Sequence, residues 1–155
     1  MKKLITLIMA LGVMISSNVF AGDNYTALTN PVNVIEQTIA FSDWADGGSA
    51  AGTVSLTPKL PVGALVIGWR AQTTTAFDAD TSATLLVGVS GDTDRFSASA
   101  GQDIDTVGYY VDLASATGGD GANAEQTILL TLTEDSEWGD MSAGVVKIKI
   151  FYIRP

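Results

Sequence analysis

"GVVKIKIFYIRP", residues Gly144 to Pro155, is a stretch in which every second side chain is suited to a core. Val146, Ile148, Ile150 and Tyr152 fall on one face, while Lys147 and Lys149 mark the other as at least partly solvated. A two-residue alternation is the signature of a strand with one packed and one open face; a helix would repeat its apolar positions every 3.6 residues. Working back along the chain, "LVIGWRAQTTT" from Leu65 to Thr75 is the longest central candidate. Its alternation puts Leu65, Ile67, Trp69 and Ala71 on one face and Val66, Gly68, Arg70 and Gln72 on the other.

Further strands are predicted at Val32 to Phe41, Gly52 to Thr57, Leu85 to Val89, Val107 to Leu113 and Thr127 to Thr133. Pro58 stops the second of these because it lacks the N–H that a sheet ladder needs. The intervening segments are rich in Gly, Asp, Asn and Ser; "WADGGSAAG" reads as a loop or hinge, and "ATGGDGANA" as a glycine-rich loop. About seven or eight short strands with turn residues between them fit one all-β domain, an antiparallel β-sandwich of the jelly-roll or Greek-key kind.

At the other end, Lys2 and Lys3, an apolar run from Leu4 to Ile15 and the small-residue pattern at Val19-Phe20-Ala21 read as a signal peptide cleaved before Gly22. The apolar run is shorter than the roughly 20 residues that span a bilayer as a helix. The alternative is a hydrophobic helix that is kept for anchoring or assembly. Cleavage would take the formal charge from -9 to -11, because both lysines leave and every acid stays. Such a surface repels phosphate backbones, so no nucleic-acid partner is expected. Cysteine is absent, which removes disulfides and thiolate metal sites and leaves stability to packing, sheet hydrogen bonds and assembly.

Histidine is absent as well, and with it the commonest general base, the commonest zinc ligand and every Ser-His or Cys-His nucleophile. No catalytic residue is assigned, and the chain is not expected to be an enzyme. Carboxylates do occur in pairs: Asp78 with Asp80, Asp92 with Asp94, Asp103 with Asp105, and the group Glu134, Asp135, Glu137 and Asp140. Oxygen ligands two residues apart suit calcium, and Asp78, Asp80, Asp92 and Asp94 are the weak candidates for it. None continues into the roughly twelve-residue loop with a closing Glu, and aspartate is common in turns because its carboxylate accepts local backbone hydrogen bonds. No cofactor is therefore expected, with calcium as the one alternative. In the corner after "SATLLVGVSGDTDRF", Leu85, Val87 and Val89 should share a face, Gly88 should permit a close approach, and Asp92 and Asp94 should hold the turn through their side chains.

Trp69 is in phase with core positions, whereas Trp44 and Trp138 lie in loop-like contexts and are the candidate surface contacts. An exposed indole is a platform for sugar stacking, so a secreted carbohydrate-binding module with an Asp-rich calcium loop is one reading of this composition.

The segments "LPVGALVIGWRAQTTTAFD" (60–78), "ATLLVGVSGDTDRFSAS" (83–99), "TVGYY" (106–110) and "SAGVVKIKIFYIRP" (142–155) together resemble a β-domain of accessory virion proteins of tailed bacteriophages, such as head fibres, spike bases and tail appendages. The likeness covers residues 60–155; residues 22–59 would form an N-terminal arm and first strands, within what reads as one domain from 22 to 155. The resemblance implies a sandwich and a structural or attachment role, with no catalytic residues. It also implies a homo-oligomer, often a trimer, next to other virion or surface proteins and, for an attachment protein, a glycan receptor. Location would be the virion, or the extracellular or cell surface if the N-terminal signal acts in export.

Overall fold

A computed structural model describes residues 31–114 and 123–154, so the signal-like segment 1–21 and most of the glycine-rich loop lie outside the described residues. The chain forms β1 (Asn33–Ala40), β2 (Ala45–Asp46), β3 (Ala51–Ser55), β4 (Leu65–Thr75), β5 (Ala83–Gly88), β6 (Gln102–Asp103), β7 (Gly108–Leu113), β8 (Leu129–Glu134) and β9 (Val145–Ile153). These build two sheets, one ordered β1-β9-β4-β7 and the other β2-β3-β8-β5-β6, with every pairing antiparallel. The fold is thus the all-β sandwich expected, with the chain passing repeatedly between sheets. Its helical content among the described residues is two single 3-10 turns, Phe41–Asp43 and Trp138–Asp140.

β9 sits between β1 and β4 and behaves as its alternation predicts. Val146, Ile148, Ile150 and Tyr152 are buried, while Lys147 and Lys149 are half-buried on the outer face. Each fully buried branched side chain contributes about 1.5–3 kcal/mol, so this strand alone supplies a large part of the core of its sheet. Opposite it, Ala83, Leu85 and Val87 of β5 and Leu130 and Leu132 of β8 close the second layer. Phe77, Phe96, Ile104 and Ile128 complete the interior from the connecting segments.

β4 departs from simple alternation. Its register with β9 runs Val66 to Tyr152 and then Gly68 to Phe151, which leaves Ile67 as the extra residue of a β-bulge. The phase therefore changes there: Val66 and Trp69 are buried, but Ile67 is 39% exposed. Trp69 and Ala71 face the core as expected; Leu65 and Ile67 do not share their face, because a period-two reading has no means of counting an inserted residue.

"WADGGSAAG", read as a hinge, contains the small hairpin of β2 and β3, with Ala45 opposite Thr53 and Asp46 opposite Gly52. Gly48 and Ser49 turn it with positive φ values of 85° and 58°, and the Asp46 carboxylate accepts the Gly48 N–H at 2.8 Å. β1 pairs with β9 along its whole length, from Asn33 opposite Tyr152 to Ala40 opposite Val145. The segment before residue 60 thus supplies strands to both sheets.

Candidate functional site

Four of the ten carboxylates singled out in the sequence, Asp78, Asp80, Asp103 and Asp135, hold loops through their side chains. Asp78, after β4, accepts the Ser142 hydroxyl at 2.6 Å and the Ser142 and Ala143 backbone N–H groups at 2.8 Å each, tying its loop to the segment that leads into β9. The Ser142 hydroxyl, followed by those backbone donors, holds its pKa down to about 2, against the desolvation that opposes this. Asp135 accepts the backbone N–H groups of Thr81 and Ser82, Asp80 accepts the Ser136 hydroxyl, and Asp103 accepts the N–H groups of Ala83 and Asp105. Among the described residues, no group of three or more acidic side chains is placed to hold a metal ion.

Asp78 contributes stability that is present above the ordinary aspartate pKa near 3.8 and is lost as pH falls toward 2. An Asp78→Ala variant should lose about 1–2 kcal/mol at neutral pH, after allowing for the screening of an exposed carboxylate. Urea melts between pH 2 and pH 5 check this: the acid limb of the variant should be shallower than that of the parent, and an unchanged limb would show that the staple contributes nothing.

The corner after β5 is built differently from the expectation. Val89 and Asp92 exchange backbone hydrogen bonds at 2.9 and 3.0 Å, the Phe96 N–H donates to the Val87 carbonyl at 2.9 Å, and the Ser97 N–H to the Asp94 carbonyl at 3.0 Å. Among the described residues, the Asp92 carboxylate meets only the Arg95 guanidinium, 3.9 Å away, and Asp94 makes no side-chain hydrogen bond. The turn is therefore held by its main chain, with Gly91 at φ 86° supplying the reversal. Replacing both aspartates with alanine should cost less than about 1 kcal/mol in a thermal melt, the usual range for an exposed ion pair. A loss of several times that would restore a side-chain role.

Trp44 and Trp138 are corrected as surface contacts. They are 7% and 5% exposed and belong to the core cluster. Trp138 packs against Trp44 and Phe41 at centroid distances of 6.2 and 5.3 Å, and it lies over Gly52, where any β-carbon would collide with the indole. Loop-like sequence around a tryptophan says nothing about what the loop folds over.

One buried acid stands apart. Glu134, at the end of β8, is 3% exposed, and neither of its carboxylate oxygens meets a donor among the described residues. Burial raises its pKa, and the carboxylates of Asp140, Asp80, Asp135 and Asp78 push it further in the same direction.

The outer face of the β1-β9-β4-β7 sheet carries a feature that sequence reading did not assemble. Register places Lys149 opposite Arg70 and Lys147 opposite Gln72, with Glu36 and Thr38 beyond them on β1 and Val111 and Tyr109 on β7. Arg70, Gln72, Lys147 and Lys149 line a shallow cleft of about 110 Å³. Glu36 pairs with both lysines, at 2.9 Å to Lys149, and its pKa is lowered by Lys147 first and Lys149 second. Arg70 stacks on the Tyr109 ring at 4.3 Å. Beside this block, Ile67, Val111, Leu113 and Phe151 border an apolar hollow of about 140 Å³.

No protein-family model matches the chain, and no curated protein sequence matches it. Solved structures do match. A chain of the cyanophage Pam1 capsid asymmetric unit aligns with a TM-score of 0.53 at 19% identity, over 80% of this chain and 85% of that one. A chain of the capsid of Ralstonia phage GP4 gives 0.53 at 14% identity, over 81% and 85%. One from the acidic stable capsid of Helicobacter pylori bacteriophage KHP30 gives 0.51 at 12% identity, over 80% and 88%. The shared property is the fold. All three come from phage capsids, a more general setting than the head fibres, spike bases and tail appendages that the motifs suggested.

Proposed function

We propose that this chain is a non-enzymatic structural protein of a bacteriophage virion, built into the particle as an oligomer, in the simplest case a trimer, beside other virion proteins. The supporting observation is the likeness of its sandwich, over four fifths of its length, to chains of three phage capsids. Two features agree with it: the chain contains neither His nor Cys, and Asp78, Asp80 and Asp103 serve as loop staples. Host attachment through a glycan receptor, and export to a cell surface through residues 1–21, extend the same reading.

Particles banded by density from a lysate of the phage or host that encodes the chain test it directly. The chain should co-band at a fixed ratio to the major shell protein, and its absence from particles would overturn the proposal. The mass of its N-terminal peptide separates the routes: a start at Met1 means assembly without export, and a start at Gly22 means cleavage and export. The carbohydrate-binding alternative loses its stacking residues, since both candidate tryptophans are buried.

A further inference from the structure

We infer that the outer face of the β1-β9-β4-β7 sheet docks the carboxylate-rich loop end of a second copy of this chain. Like charges directly opposite each other on neighbouring strands destabilise a sheet, and Arg70 stands directly opposite Lys149, with Lys147 one rung away. Glu36 answers the two lysines, but Arg70 has no carboxylate partner among the described residues. The block is thus an excess of positive charge on a chain whose net charge is -9. Of the basic residues described, Arg70, Lys147 and Lys149 share this face, while Lys59, Arg95 and Arg154 lie elsewhere.

The same face is apolar toward β7, the edge strand of its sheet among the described residues. There β7 pairs only with β4, and Tyr109, Val111 and Leu113 are 62%, 64% and 75% exposed. It carries neither Lys nor Pro, two of the residues that commonly protect such an edge from association. Carboxylates are the complement of the cationic block, and this chain supplies them: Asp135, Glu137 and Asp140 are exposed in the connection between β8 and β9. Contact between two different patches of identical chains is heterologous, so it propagates into a ring or an open string.

Sedimentation velocity across a concentration series, at low and at high salt, tests this. The protein should form oligomers at low salt, and their weight fraction should fall at least several-fold at high salt. Arg70→Glu and Leu113→Glu should each return it to monomer, with circular dichroism confirming that the variants fold. A second measurement needs no variant: carbodiimide coupling of mixed ordinary and nitrogen-15-labelled protein should join Lys147 or Lys149 of one copy to Glu137 or Asp140 of another. A wild-type protein that stays monomeric throughout, oligomers that persist unchanged in Arg70→Glu, or inter-copy links that avoid these lysines would overturn the inference. It refines the virion reading, yet the two fail separately: a chain that co-bands with particles but does not self-associate through this face overturns only the docking.

Discussion

A Gly88→Val variant is expected to lose about 3 kcal/mol or more, a large share of the roughly 5–15 kcal/mol that stabilises a domain. Gly88 is the last residue of β5, and the corner that follows folds back over it. A β-carbon there would collide with the Asp92 carbonyl oxygen and the Thr93 carbonyl group. Both obstacles are main chain, so no side-chain rotation relieves them. Accommodating valine means breaking the Val89–Asp92 hydrogen bonds and drawing Phe96, which is 2% exposed, out of the core. Gly139 makes the natural control, because a β-carbon there meets nothing within 4 Å. In parallel urea titrations, Gly139→Ala should melt with the parent and Gly88→Val well before it. A midpoint for Gly88→Val equal to that of the control would show that the corner yields at little cost.

The second large effect has the opposite sign. Glu134→Leu should raise stability at pH 7 by about 1–3 kcal/mol, since it removes a buried carboxylate that has no donor among the described residues and fills its place with apolar atoms. Glu134→Gln should keep the shape and remove only the charge. Because burial and the neighbouring acids raise the folded pKa above 4.5, the unfolded chain gives up this proton first as pH rises. The destabilisation is absent below pH 4.5, grows as pH climbs through the folded pKa, and is complete above it. Wild-type protein should accordingly gain stability as pH falls through the folded pKa of Glu134 toward 4.5, until loss of the Asp78 staple reverses the trend below about pH 4. Chemical melts from pH 3 to pH 8 should show that gain in the parent and no gain in Glu134→Gln, which keeps only the loss below about pH 4. A Gln variant that is weaker at pH 7, with the parental slope intact, would mean that the carboxylate has a stabilising partner.

The sheet architecture was largely legible in the chain because its signal is local. Alternation in β9 and the Thr/Val/Leu runs of β5 and β8 record burial residue by residue. What escaped was whatever depends on counting or on pairing. The bulge at Ile67 inverts the phase of β4, and nothing in "LVIGWRA" marks it before its partner strand is known. The placement of Trp138 over Gly52 joins residues far apart in sequence, as does the cationic block, whose three members come from β4 and β9. Alternating Lys147 and Lys149 announced a solvated face, and alternation put Arg70 and Gln72 on the face opposite Trp69; that the two are one face is a matter of register. Asp78 and Asp135 were recognisable as loop acids, but their partners in the Ser142–Ala143 and Thr81–Ser82 segments were not.

The position of β9 also governs the order in which the protein can assemble itself. It follows every other described strand in the sequence, yet it is inserted between β1 and β4, which do not pair with each other. During synthesis, the strands on either side of it wait with open edges and uncovered apolar faces until the ribosome has released the segment that joins them. Closing such long-range pairs is slow, because loop entropy is spent before contacts are gained. The interval before β9 arrives is therefore when the nascent chain is most exposed to aggregation and most in need of chaperones. Interrupting translation just ahead of residue 145 should leave a product whose first sheet has no centre.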